Sequence, residues 1–273
     1  LLYLDNRILT KGEAFTNVNT QFYPSDTIYN NYYTYSSPYN QIIADNSIPN
    51  ATIMTGVYVN NTFIGTGQSG FHSIDYNNGR LYFTTELPAN TIISGSYAIK
   101  EYNVTLTSFP EETLLFETSY SNKPKTDQTA TGASLNSIQY PIVFIRSNSM
   151  TNEPFTFGGT DNTRNYIRLI IMSDSQFSND AINSIIIDSK NSYMPIFNTG
   201  QFPYNYLGHA TNYNYTGITA NSVSEGNCAF IEEVDVAQFN SQIFSQQFRE
   251  VNLEVYSSII DFQVVKPRNP RQS

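Results

Sequence analysis

The sequence predicts a mainly β protein built from antiparallel β-sandwich or barrel modules, with one amphipathic α-helix at about 175–190 in the C-terminal half. Three observations carry this prediction. The aromatic content consists of 21 Tyr and 18 Phe with no Trp, and Tyr and Phe both suit a half-buried pleated surface. Charged residues make up only 14%, and the Asn, Ser and Thr that fill the polar positions disfavour helix interiors because their short side chains compete for backbone hydrogen bonds. Apolar residues also recur with a period of two in short segments separated by Asn- and Gly-rich turns.

The length of 273 residues favours two units. Residues 1–50 read as an extended, Tyr/Asn-rich N-terminal arm. There Tyr23, Tyr29, Tyr32, Tyr33, Tyr35 and Tyr39 alternate with turn-forming residues and offer rigid amphipathic area to a neighbouring subunit. The alternative for the same stretch is a Tyr-rich loop folded over its own sheet. Residues 51–119 read as an antiparallel β module. Its hairpins turn at Asn60-Asn61, where Asn tolerates left-handed backbone, and at Asn77-Asn78-Gly79. Leu81 and Phe83 share one face of the second hairpin, and Ile93, Tyr97 and Ile99 alternate with Ser94, Ser96 and Lys100.

Residues 120–140 are poor in apolar side chains and read as a linker or long loop. Residues 141–273 form the second β-rich domain. Ile142–Ile145 and Ile167–Met172 are near-continuous apolar runs, the pattern of strands covered on both faces. The helix follows, with Phe177, Ala181, Ile182, Ile185 and Ile186 as its apolar stripe, Ser175 or Ser178 as N-cap, and Asp180 and Lys190 matching its dipole. Strands return at 230–236, 251–255 and 259–265. A basic, proline-broken tail carrying Lys266, Arg268 and Arg271 closes the chain and reads as disordered or as docking into an acidic groove.

Charge and motif content narrow the function. A formal net charge of −9 repels phosphate backbones and anionic membranes, and no apolar run approaches the ~20 residues of a bilayer span. Nucleic acid and membrane are therefore not expected partners. Leu1–Asp5 is too short and too acidic for a signal peptide. The single Cys228 forms no internal disulfide.

Gly65-Thr66-Gly67-Gln68-Ser69-Gly70 matches the dinucleotide fingerprint, but it precedes a strand and hairpin instead of opening a helix, so it reads as a glycine-rich β-loop. Ser69 lacks the glycine a nucleophile elbow needs two positions on, where Phe71 stands. His72 reads as a strand side chain and His209 as a solvated loop residue. One Cys and two distant His make no zinc set, and Asp161-Asn162 and Glu232-Glu233-Val234-Asp235 make no calcium loop. The acidic run reads as a solvated sheet edge. Four N-glycosylation patterns, at Asn50, Asn60, Asn103 and Asn214, are expected by chance in a sequence this rich in Asn and Thr. No catalytic residue, cofactor or metal is expected.

Three segments carry a resemblance: Gly56–Phe63, Ile74–Phe83 and Ser94–Lys100, with Phe155–Gly159 and Leu169–Ile187 adding to it. They resemble the β modules of virion structural proteins of tailed bacteriophages. The resemblance implies an assembled role at the neck or tail of a particle put together in the host cytoplasm. It further implies partners that are copies of itself and other virion proteins, and no catalytic residues. Low charge and abundant uncharged hydrogen-bonding groups point the same way without it, toward large interlocked interfaces. The alternative is a carbohydrate- or receptor-binding β protein whose tyrosines stack on sugar rings. An enzyme of unknown reaction comes third.

Overall fold

The computed structural model describes residues 1–25, 29, 31–118, 120–121, 138–154, 161–224, 226–238 and 255–268. Strand dominates over helix among them. The chain opens with helix α1 (Leu2–Lys11) and continues through strands β1 (Phe15–Pro24), β2 (Tyr33–Ser36), β3 (Gly56–Val59), β4 (Thr62–Gly65), β5 (Phe71–Asp75), β6 (Arg80–Phe83) and β7 (Ile93–Lys100). These seven strands form one sheet in the order β4-β3-β7-β1-β2-β6-β5.

Strand β1 pairs with β7 over Phe15–Phe22 and with β2 at Tyr23 and Pro24. It thereby carries the sheet around a corner. Val57, Ile93 and Tyr97 from one half and Phe71, Ile74, Leu81 and Phe83 from the other then share a single core, the arrangement of a sandwich.

Local chemistry explains both predicted hairpins. Asn60 and Asn61 have φ of 49° and 67°, the two left-handed positions a two-residue hairpin loop requires. In the β5–β6 turn Gly79 has φ +62°, and a Cβ there would lie 2.2 Å from the Tyr39 carbonyl oxygen, so only glycine fits. The glycine-rich segment is a β-loop as expected: Gly67 N donates to Phe71 O and Phe71 N to Gln68 O.

The second sheet uses β8 (Asn103–Leu106), β11 (Ile142–Pro154), β12 (Asp161–Ser173), β13 (Tyr193–Pro195), β14 (Cys228–Gln238) and β15 (Tyr256–Arg268), in the order β13-β14-β15-β12-β11-β8. Two short strands, β9 (Tyr120–Ser121) and β10 (Ile138–Gln139), pair separately. The runs in β11 and β12 are covered on both faces, as their continuous hydrophobicity implies. Val143, Ile145, Leu169 and Ile171 meet Leu4 and Ile8 of α1 together with Ile182 and Ile186 of helix α2 (Gln176–Ile187). Ile142, Phe144, Ile170 and Met172 meet Leu114, Leu115 and Tyr140.

Helix α2 falls within the predicted range, and the Ser175 hydroxyl accepts from Ser178 N as its N-cap. Its buried row is Asn179, Ile182, Asn183 and Ile186, while Phe177 is 85% exposed. The two asparagines are tolerated because Asn183 Nδ2 donates to Asn179 Oδ1 and Ser258 Oγ donates to Asn183 Oδ1.

Residues 1–50 are not an extended arm. Helix α1, read only as a poor signal peptide, places Leu2 in the first core, Leu4 and Ile8 in the second, and Leu9 in a smaller cluster with Ile43, Ile48 and Ala98. Strand β1 lies in the interior of the first sheet. The two units also exchange segments: β8, expected in the first, belongs to the second sheet, and Tyr204, Ala210, Tyr213 and Tyr215 pack into the first core. A third helix, α3 (Tyr215–Ser224), was not anticipated either. Most of the expected linker, together with strand 251–254, lies outside the described residues.

Deleting residues 1–24 removes an interior strand and the helix shared by three apolar clusters. The truncated chain is expected to lose its cooperative thermal transition, and Ile8→Ala in the intact chain to lose about 2–5 kcal/mol by denaturant titration.

Candidate interaction surface

The structure disperses the residues picked out as partner contacts. Tyr35 is buried edge-on against Phe83, and its hydroxyl accepts from Leu87 N. Tyr33 and Tyr39 pack on the first core, and Tyr23 sits in the β1–β2 ladder. Tyr32 lies over the His72 ring at 4.4 Å, its hydroxyl 3.2 Å from His72 Nε2. Tyr29 is 40% exposed and stacks on Tyr82. Lys266 lies in β15 with its ammonium donating to Asn227 Oδ1 at 2.6 Å, and Arg268 closes that strand opposite Asp161. The expected tail is thus in part a paired strand, while Arg271 lies outside the described residues. Tyr33, Tyr35 and Tyr39 are turned toward the protein's own core, Tyr29 and Tyr32 meet on Tyr82, and Lys266 and Arg268 lie in the other sheet, so the described members of the set form no common surface.

The sheet edges sort more clearly. An edge strand presents unpaired N–H and C=O groups to any other chain unless something covers it. The edge of β5 is covered by the loop that follows Tyr204: Tyr76 N donates to Gly208 O at 3.1 Å, and His209 Nδ1 lies 3.4 Å from Ile74 N and 3.2 Å from Ile74 O. Gly208 is required there, since with φ +73° an added Cβ would lie 2.1 Å from Asp75 Oδ1. His209 is therefore a half-buried edge seal stacked on Tyr76, rather than the solvated loop residue expected.

The edge of β8 is covered by one side chain. Gln41 Nε2 donates to Val104 O at 2.9 Å and Gln41 Oε1 accepts from Val104 N at 3.0 Å, reproducing the bonds of a further strand. Strand β13 is three residues long and ends in Pro195, which has no N–H to offer.

Strand β4 is covered only in part: Gly65 N donates to Gln68 Oε1 at 3.2 Å and Gly65 O accepts from Gln68 N at 3.1 Å, while Phe63 has no such cover among the described residues. Beyond a two-residue loop the pair Val59↔Thr62 exchanges hydrogen bonds and the next pair, Tyr58↔Phe63, does not. The Phe63 backbone groups therefore point outward from the sheet. Register sets the side chains: Val57 and Ile93 face the core, so Tyr58, Phe63 and Ile92 share the outer face. They are 45%, 52% and 55% exposed, and the Tyr58 and Phe63 rings meet at 5.4 Å. Ile92 is held beside the loop by Asn60 N donating to Ile92 O and Ile92 N donating to Asn60 Oδ1. The same face continues across Ser94, Ser96, Gln21 and Asn19, so an open edge adjoins a broad uncharged surface. The sequence held a signal for it: apolar residues on both parities of β3 and β4, where a half-buried strand needs them on only one.

Among the described residues, the reactive groups at Ser69, His72 and Asp75 are enclosed or solitary. His72 Nδ1 lies 2.9 Å from Ser73 Oγ, but Ser73 is 2% exposed and closed to a substrate. Asp75 is buried and accepts from Asn77 N, Asn78 N, Asn78 Nδ2 and Tyr82 Oη. Desolvation raises its pKa, and these donors offset the shift only in part. Ser69 stands in the β-loop with φ 47°. No group of three or more His, Cys, Asp or Glu suited to a metal occurs among the described residues, and none of their helices is long and apolar enough to cross a membrane. Comparison with known proteins adds no relative: no family model matches the chain, and no curated protein matches it significantly.

The seal on β5 makes stability depend on pH. Burial depresses the His209 pKa below the ordinary 6.5, its contact with Ile74 pulling the other way and His72 adding to the depression. The unfolded chain therefore takes up this proton first, so the His209 contribution is present above pH 6.5 and is lost as the pH falls through the folded value. Urea midpoints between pH 7.5 and 5 are expected to fall more steeply for the wild type than for His209→Gln.

Proposed function

We propose that this chain is a structural assembly protein, a component of the neck or tail of a tailed bacteriophage that acts through contacts with copies of itself and with other virion proteins. The observation that carries the reading is the stretch of the β4 edge left uncovered at Phe63, with the side chains of Tyr58, Phe63 and Ile92 beside it. The edges of β5, β8 and β13 are blocked by a loop, an amide side chain and a proline, and the Gly65 end of β4 by Gln68, so leaving the Phe63 stretch of β4 open and apolar favours strand addition by a partner. The bacteriophage setting rests on the resemblance of residues 56–63, 74–83 and 94–100. Binding of glycans by stacked loop tyrosines has less support, since Tyr35 is in the core and Tyr32 and Tyr33 are half-buried against their own unit.

Phe63→Asp places a charge on the open edge and should leave the thermal transition nearly unchanged, because the side chain is half exposed. It is expected to reduce self-association or particle incorporation at least tenfold in sedimentation, whereas Phe177→Asp, at an 85% exposed site on α2, should have no effect. Equal assembly of Phe63→Asp and wild type would reject the β4 interface.

A further inference from the structure

The second sheet has an open edge of its own. Strand β8 pairs with β11 over Ile142–Ile145, and Thr107 N extends the contact by donating to Ile145 O at 3.0 Å. Past that point β11 continues to Pro154 against β12 alone among the described residues, and Ser147 through Glu153 are all exposed.

The pairing fixes which backbone groups face outward. Ile145 turns its N–H and C=O toward β8, so Arg146 turns toward β12 and Arg168 faces it. Strand β12 runs through without a bulge, so Tyr166, Arg164 and Asn162 face β11 as Arg168 does. The register shift between Ser147 and Ser149 inserts Asn148 into β11, and Ser149, Thr151 and Glu153 therefore oppose those three residues. Met150 and Asn152 are left with their N–H and C=O groups pointing away from the sheet, without a partner among the described residues. The bulge at one end and Pro154, which has no N–H, at the other delimit this open stretch.

Charge selects the strand that fits. The chain has a net charge of −9, yet Ser147 to Asn152 carry none, and Glu153 is already paired with Arg164 at 3.0 Å. Arg146 stands beside Arg168 and makes no ion pair among the described residues. Arg146, Ser149, Thr151 and Glu153 share one face. In an antiparallel pair centred on Thr151 of both copies, Met150 of each exchanges both hydrogen bonds with Asn152 of the other, and the two Thr151 side chains meet. Glu153 then opposes Ser149 of the second copy and lies diagonal to its Arg146, a separation that long side chains span. The edge is complementary to itself in both hydrogen bonding and charge.

We propose that β11 pairs antiparallel with β11 of a second copy about a twofold axis at Thr151, joining two six-stranded sheets into one. The inference is independent of the β4 interface, which lies in the other sheet.

Sedimentation of the Phe63→Asp chain, in which any β4 contact between such dimers is removed, tests it. That chain is expected to be a dimer. Adding Met150→Pro removes one outward N–H, leaves the ladder to β12 intact and should weaken the dimer at least tenfold. Register is read by cross-linking in a Cys228→Ser background treated with diamide. Thr151→Cys should give a disulfide-linked dimer, because Cα atoms at a directly opposed, non-hydrogen-bonded position are about 4.5 Å apart, within disulfide range. Ser149→Cys, which opposes Glu153, should not. Positions 149, 150 and 151 are exposed, so these changes leave the core untouched. A monomeric Phe63→Asp chain, the result expected if the edge takes a strand of another protein or a segment of this chain, would overturn the proposal, as would a dimer undiminished by Met150→Pro or equal cross-linking at 149 and 151.

Discussion

The two sheets are joined through a buried ammonium. Lys100, at the end of β7, has a side chain only 5% exposed and is paired with Asp5 of α1, itself 8% exposed. A buried ion pair has to recover the hydration lost by both ions, and removing one partner alone costs about 3–5 kcal/mol. Here the recovery depends on a third group, Gln41, whose Oε1 accepts from Lys100 while the same amide covers the edge of β8. The first sheet, the N-terminal helix and the second sheet are therefore tied at one point. Displacing any of the three residues leaves a charge or a strand edge without its partner.

Helix α1 makes that joint possible. Its apolar residues face three directions, Leu2 to the first core, Leu4 and Ile8 to the second, and Leu9 to the cluster around Ile43. Arg7 adds a hold on α2 by donating to Ile185 O at 2.9 Å and pairing with Asp188. An amphipathic helix normally buries one stripe. This one is enclosed along most of its circumference, so the two sheets share a core component instead of meeting across a soft boundary.

Much of the fold was legible wherever the determining chemistry is local. The Asn60-Asn61 and Gly79 turns, the Ser175 cap and the doubly covered runs of β11 and β12 depend on neighbouring residues, and the sequence displays them directly. What it concealed is pairing at a distance. Tyr23 and Tyr35 look adhesive among breakers, but β1 finds β7 some 80 positions on, as in Phe15↔Lys100, and no local pattern announces that partner. Phe177 looked like a core residue until Asn179 and Asn183 proved able to bury their amides on each other and on Ser258. The β4 surface escaped notice for a related reason, since its hairpin was read for its turn and not for the parity of Tyr58 and Phe63.

The exchange of segments between the units bears on the order of events during synthesis. The first core includes Tyr204, Ala210, Tyr213 and Tyr215, and Asp45 receives the Tyr215 N–H of α3 at 2.9 Å. When β7 leaves the ribosome, every strand of the first sheet has been made, yet the aromatic plug that closes its interior is still more than a hundred codons away. The nascent sheet must hold exposed apolar surface for seconds at ordinary elongation rates of about 5–20 residues per second. Such long-range closure also slows folding. In a cell this chain therefore depends on whatever shields its emerging half from neighbouring copies, most of all when it is made in quantity.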